Sequence, residues 1–229
     1  MFEKVLIVRF SSIGDIIFTT AVVEGLKSQY PHCVIDYLTL GNYSQILEGN
    51  PHINRIILLD RKAGFGRLRE LSNNLDKEDY SHIFDLHGSL RSGIIRRGMR
   101  SPSSVFRKPR MNRFLLFYLK WNRFPSDFEI TDEFSNFMEL EERSLTRLYI
   151  SAQEKEQCYS LLARFGVTSQ FLALVPGAAW PNKIWTVDGY RQLVDLMSDN
   201  QVVILGGADN TICDEISSGF ENIVNLCGK

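Results

Sequence analysis

Cysteine is scarce: Cys33, Cys158, Cys213 and Cys227 are the only four in 229 residues, with no C-x-x-C pair and no histidines at ligand spacing. Neither a disulfide framework nor a zinc site is expected of them, and a reducing compartment fits. Long apolar runs are missing too. The run at 114–119 is broken off by Lys120, well short of a membrane-spanning helix, and the run at 5–8 is too short for a signal-peptide core. A cytoplasmic protein is expected. No Asp-x-Asp pair stands at a strand end, so a metal-bridged nucleotide-sugar site has no basis and no metal is assigned. The segment Gly64-Phe65-Gly66 precedes a helical pattern, but the sixth position is Arg69 rather than Gly, which argues against a nicotinamide dehydrogenase. The most informative lack is of acid. Residues 86–126 hold ten Lys or Arg and no Asp or Glu, so the net charge of −1 is a cancellation between a strongly basic segment and an acidic remainder.

What is present is an ordinary globular composition, 44% hydrophobic and 23% charged, which excludes disordered, collagen-like and coiled-coil chains. Residues 4–10 read as a strand whose centre, 5–8, is apolar without alternation, as expected of a strand covered on both faces of a parallel sheet. A Ser-Ser-Ile-Gly turn follows, then apolar residues at helical spacing until Pro31. Strands are predicted at 34–40, 55–59 and 82–86, a short helix at 43–48 and a longer one at 65–74. Beyond the basic segment the rhythm restarts. Ser151-x-x-Glu154 is a capping box for a helix that stops at Gly166, and strands at 171–175, 201–205 and 223–226 alternate with helices at 187–197 and 210–217. The fold class is therefore α/β, with doubly wound parallel sheets. Residues 1–150 and 151–229 read as two domains. The second carries about three strands, few for a covered parallel sheet, and is expected to be incomplete.

Three loops could carry chemistry. Ser11-Ser12-Ile13-Gly14-Asp15 lies at the end of the first strand and the start of the first helix, where open α/β sheets bind ligands. Small residues admit a substrate, and the helix dipole favours an ionised Asp15, which could accept a proton from a hydroxyl. Ser12-x-x-Asp15 is equally a capping box, and Gly14 could serve packing alone. Asp85-Leu-His87-Gly-Ser89-Leu-Arg91-Ser92 ends another strand and offers an Arg for anions; alternatively Asp85 or Ser89 caps the next helix and His87 is a loop histidine. The loop at 176–185, with Ala178, Ala179 and Lys183, could hold a phosphate or diphosphate, or could be a surface loop whose tryptophans pack on their own domain. It is not a P-loop. Gly206-Gly207 after the next strand is a weaker instance of the same geometry. In the basic segment, cations alternate in blocks with Phe114, Phe117, Tyr118, Trp121 and other apolar residues, which suits an anionic membrane surface or an acidic phosphorylated substrate. A core-facing helix with a solvated basic face is the plainer alternative. No nucleic-acid motif accompanies the charge.

Taken in order, the three motifs resemble those of the ADP-heptose:lipopolysaccharide heptosyltransferases, glycosyltransferase family nine. Arg9 to Asp15 is similar to the family's R-F-S-S-[IL]-G-D opening, Asp85 to Ser92 to its D-L-[HQ]-G-x-x-[KR]-S segment, and Pro176 to Trp185 to its P-G-x-x-x-x-x-K-x-W loop. The resemblance implies a GT-B-like pair of Rossmann-like domains, the first for an acidic lipopolysaccharide acceptor and the second for the nucleotide sugar. It implies an inverting, metal-independent transfer with Asp15 as general base and Lys183 neutralising the leaving diphosphate. Ser11, Ser12, Gly14, His87 and Arg91 would shape the acceptor side; Ala178, Ala179, Lys183 and Gly207 would line the donor side. ADP-heptose would be a substrate, with no cofactor, and contact with the inner face of the inner membrane would be peripheral. Family members continue through a D-S-G…H-x-x-A motif that this chain lacks, so a C-terminally truncated version is expected. Two other functions stay open at this point: a non-catalytic module for anionic glycolipid, and an unrelated nucleotide-binding protein.

Overall fold

The protein, seen in a computed structural model that describes residues 2–178, 181–207 and 211–229, divides into two units, Met1–Ile150 and Ser151–Lys229. The first is built on strand β1 (Lys4–Val8), followed by helix α1 (Ile13–Gln29), β2 (Val34–Leu40), β3 (Arg55–Leu59), α2 (Phe65–Asp76) and β4 (His82–Asp85). The expected helix at 43–48 is a 3-10 turn, Gly41–Ile46. All strands are parallel, in the order β3-β2-β1-β4-β5, where β5 is Ser103–Val105. The central strand shows why an unalternating apolar run was needed. Val5 and Ile7 point to one face, under Ile16, Val22 and Leu26 of α1; Leu6 and Val8 point to the other, with Leu68 and Leu75 of α2. Each of these four strand side chains is at most 1% exposed, and such burial stabilises by about 1.5–3 kcal/mol apiece.

The basic segment is not one element. It contains α3 (Leu90–Arg97), β5 and α4 (Arg110–Leu119), and α5 (Ile130–Phe137) follows it. α5 closes the α1 face of the core through Phe134. α4 has no buried residue, whereas α3 buries Ser92, Gly93 and Ile95 and turns Arg97 outward, so the core-facing helix considered from the sequence is α3 and not α4.

The second unit opens on α6 (Ala152–Arg164). The Ser151 N–H donates to Glu154 Oε2 at 2.8 Å and the Glu154 N–H donates to Ser151 Oγ at 3.1 Å, closing the capping box. Gly166, at φ +75°, ends the helix in the left-handed conformation that favours glycine. Then come β6 (Phe171–Leu174), a 3-10 turn Pro181–Lys183, α7 (Val187–Leu196), β7 (Gln201–Ile204), α8 (Thr211–Ser217) and β8 (Ile223–Asn225). The three strands are parallel, in the order β6-β7-β8. One expectation is overturned here: Cys213 and Cys227 form a disulfide. α8 folds back beside β8, so two cysteines separated by 14 positions meet, a proximity that sequence spacing alone did not suggest. Cys33 and Cys158 are free. Among the described residues no helix is long and apolar enough to cross a membrane.

Candidate active site

In the first unit the strand order reverses between β1 and β4: the chain winds outward from β1 through β2 to β3, then returns to β1's other side for β4. Open parallel sheets bind ligands at the carboxyl ends of strands at such a switch point. Two of the three loops singled out in the sequence leave from those two ends, since Val8 is paired with Asp85.

The residue that ties the loops together is Arg9, whose side chain is only 1% exposed. Its Nε donates to Ser11 O at 2.8 Å and its Nη1 to Leu86 O at 2.5 Å, while Nη2 pairs with Asp15 Oδ2 at 2.5 Å. A buried guanidinium needs its donors satisfied, and here two backbone carbonyls and a carboxylate satisfy them. Asp15 is also the third helical residue of α1, and its Oδ2 accepts from the Ser12 N–H at 3.2 Å and from Ser12 Oγ at 3.1 Å. Partial burial alone would push the Asp15 carboxyl up, but the Arg9 charge and the bonds from Ser12 and Arg9 hold it below the usual carboxylate range. All these contacts fall on Oδ2; Oδ1 takes no hydrogen bond among the described residues, and the side chain is 40% exposed. Asp15 is thus both cap and presented carboxylate. A Cβ at Gly14 would meet nothing within 4 Å, so no protein packing calls for a glycine there.

Across the switch point, Asp85 is buried and turns its loop by accepting from the backbone N–H of His87 at 3.1 Å and of Gly88 at 2.8 Å. Gly88 is at φ +61°, and a Cβ would lie 3.1 Å from Phe106 O, so the close approach of the β5 loop requires glycine. Ser89 caps α3, with Ser92 returning the bond. The His87 ring lies 4.8 Å from that of Phe10, and its Nδ1 is buried without a partner among the described residues. Burial, then the charges of Arg9 and Lys108, depress its pKa to about 4, so at neutral pH it is an uncharged imidazole. Arg91 is committed elsewhere: Nη1 donates to Arg61 O at 3.0 Å and Nη2 to Asp60 O at 2.8 Å, tethering the loop after β3. Of the residues expected on the acceptor side, the structure brings together Ser11, Ser12, Gly14, Asp15 and His87, and engages the Arg91 head group with backbone.

Two contributors went unassigned in the sequence. Arg9 could have been suspected as a charge closing an apolar strand; Lys108 had no signal beyond the basic segment. Lys108 lines a cavity of about 330 Å³ with Gly88, Val105, Phe106, Arg107 and Arg110. Burial and the neighbouring charge of Arg9 lower the Lys108 pKa.

In the second unit, β6 and β7 are neighbours in register, Leu174 against Ile204, so the loop carrying Ala178 and Lys183 and the Gly206-Gly207 turn leave the same sheet edge. Lys183 closes the 3-10 turn and is exposed; Thr186 Oγ then caps α7 by accepting from Gly189 N at 3.1 Å. Trp185 does pack on its own unit, 5.1 Å from the Tyr190 ring. A Cβ at Gly207 would meet none of the described residues within 4 Å. Ala179 lies outside the described residues.

Two Rossmann-like units in one chain, each presenting loops at the carboxyl ends of its strands, define the GT-B-like fold class. The comparisons narrow this further. The model of glycosyltransferase family 9 (heptosyltransferase) matches residues 68–229, and the chain belongs to that family. It is 25% identical to lipopolysaccharide heptosyltransferase 3 of Escherichia coli K12 over 235 residues, covering 94% of this chain and 68% of that protein. The crystal structure of the family 9 glycosyl transferase from Veillonella parvula shares the fold with a TM-score of 0.81 at 20% identity, over 99% of this chain and 70% of that one. E. coli ADP-heptose lipopolysaccharide heptosyltransferase II gives a TM-score of 0.71 at 21% identity, over 98% and 72%. Family membership removes the unrelated nucleotide-binding protein from consideration.

Proposed function

We propose that this chain carries the acceptor side and part of the donor side of an enzyme that transfers heptose from ADP-heptose to the lipopolysaccharide inner core, with inversion and without a metal. The first unit takes the acidic acceptor, the second the nucleotide sugar, and the work is done in the cytoplasm against the inner membrane. The observation that carries this reading is Asp15 at the switch point, gripped through Oδ2 and presenting Oδ1.

In the proposed step an acceptor hydroxyl donates to Asp15 Oδ1. A carboxylate held below its usual range is a weak base, so it first orients the hydroxyl. It takes the proton only as the new bond to heptose C1 forms and the hydroxyl becomes acidic. The bond from C1 to the diphosphate oxygen breaks at the same time, and ADP leaves with the electron pair. Lys183 offsets the charge that develops on the diphosphate, with Ala178 and Gly207 on the donor side beside it. Ser11, Ser12 and Gly14 admit the acceptor to the base. His87, uncharged, offers hydrogen bonding without repelling Arg9, and the cations of the Lys108 cavity suit phosphate or carboxylate groups on the acceptor.

Calorimetric titration with ADP-heptose, followed by a transfer assay of Asp15→Asn, tests this. Saturable binding with transfer lowered at least about a hundredfold in the variant is expected; unchanged transfer sinks the base assignment. Failure of the folded chain to bind ADP-heptose would favour the non-catalytic glycolipid-binding module instead.

A further inference from the structure

α4 turns its large apolar side chains outward. At about 100° per residue, Asn112, Leu115 and Leu116 fall on the inward side, and these three are the half-buried ones. The opposite side carries Phe114 and Phe117, 50% and 62% exposed, flanked by Met111 and Tyr118 at 68% and 75%. The Phe114 and Tyr118 rings lean together at 4.9 Å, and Trp121, 56% exposed, extends the patch past the helix end. An exposed apolar patch this concentrated marks an interaction surface.

Its charge identifies the partner. Arg110, Arg113, Lys120 and Arg123 are all exposed around these rings, in a segment with no acid of its own, and Arg123 sits 5.0 Å over the Trp121 ring. Aromatic rings edged by cations match the boundary between acyl chains and anionic head groups: the apolar faces enter the boundary, Tyr and Trp keep a polar tip in the wet layer, and the cations meet phosphates. Arg110 also lines the Lys108 cavity, so docking through α4 brings that basic cavity to the head-group plane.

We propose that α4 and residues 121–123 form an interfacial anchor that seats the first unit on an anionic lipid bilayer. This rests on the reading above that the acceptor is presented at a membrane. Flotation of the full chain with phosphatidylglycerol/phosphatidylethanolamine vesicles, against phosphatidylcholine alone, tests it. Binding to the anionic vesicles that weakens with salt, and none to the neutral ones, is expected. A Phe114→Ser/Phe117→Ser variant should lower partitioning about tenfold. Arg113→Gln and Lys120→Gln should each lower it about fivefold. These positions are exposed, and matching far-ultraviolet circular dichroism confirms that each variant is folded. Absence of wild-type flotation, or variants that float like wild type, overturns the anchor. A chain that floats but does not bind ADP-heptose overturns the transferase reading alone, whereas one that binds ADP-heptose but does not float overturns the anchor alone.

Discussion

Replacing Arg9 by Met keeps an unbranched apolar stem and removes the guanidinium that ties the two loops of the candidate active site. Hydrogen bonds to charged groups contribute about 1.5–3 kcal/mol each when buried, and Arg9 makes two of them to the Ser11 and Leu86 carbonyls. The ion pair to Asp15 adds less, because that carboxylate is 40% exposed and screened by solvent. The sum is about 3–7 kcal/mol, a large share of the about 5–15 kcal/mol that holds a domain folded. Native-state amide exchange across β1 and β4 is the assay, since it reports the first unit alone. Protection should fall by that amount in Arg9→Met and recover in part in Arg9→Lys, which restores the charge without the fork. Asp15 should respond as well. In the wild type its lowered pKa means that the pair stabilises above the ordinary carboxylate range and that this contribution disappears as pH falls through the depressed value. In Arg9→Met the carboxyl should titrate higher, as read by carbon-13 NMR. A variant within about 1 kcal/mol of wild type, with Asp15 titrating unchanged, would refute the reasoning.

Three further outcomes are expected. His87 stays neutral down to about 4 in the fold but binds its proton near 6.5 when unfolded, so the unfolded state is favoured as pH falls through that window. His87→Gln should remove about 2 kcal/mol of that pH dependence after allowance for partial exposure, read as thermal midpoints at pH 4.5 and pH 7, and equal slopes would contradict it. Ser151→Ala opens the capping box of α6 and should cost the second unit about 1 kcal/mol in urea unfolding, with an unmoved midpoint counting against the cap. Gly189→Ala places a Cβ 2.6 Å from the Trp185 ring and 2.9 Å from Thr186 Oγ. It should destabilise by about 1–3 kcal/mol and shift the Trp185 emission; neither change would mean that the turn yields freely.

The parallel sheets were legible because strands buried on both faces must be apolar throughout, and residues 5–8 are. The helix starts at Ser12 and Ser151 were legible because a capping box is a local chemical agreement between residues three apart. β5 was not, since Ser103-Ser104-Val105 has no apolar run and is a strand only because β4 lies beside it. α4 was unreadable for a related reason: apolar residues lie on both its sides, Leu115 and Leu116 inward and Phe114 and Phe117 outward, so hydrophobic pattern does not mark a core face. The pairing of Cys213 with Cys227 depends on how α8 folds back, and the commitment of Arg91 to carbonyls after β3 depends on a loop 30 positions away. The site itself was half visible. The motif loops stood out, but Arg9, which unites them, read as the tail of a strand.

The central position of β1 has a consequence for how the chain is made. Lys4 to Val8 is synthesised before both of its flanking partners, β2, some thirty residues later, and β4, which begins at His82. At about 5–20 residues per second, β4 leaves the ribosome about 4–16 seconds after β1. For that interval β1 has at least one uncovered edge, and until β2 emerges it has two. The nascent chain is therefore a candidate client for whatever shields apolar segments near the ribosomal exit until β4, the strand that leads into the His87 loop, arrives.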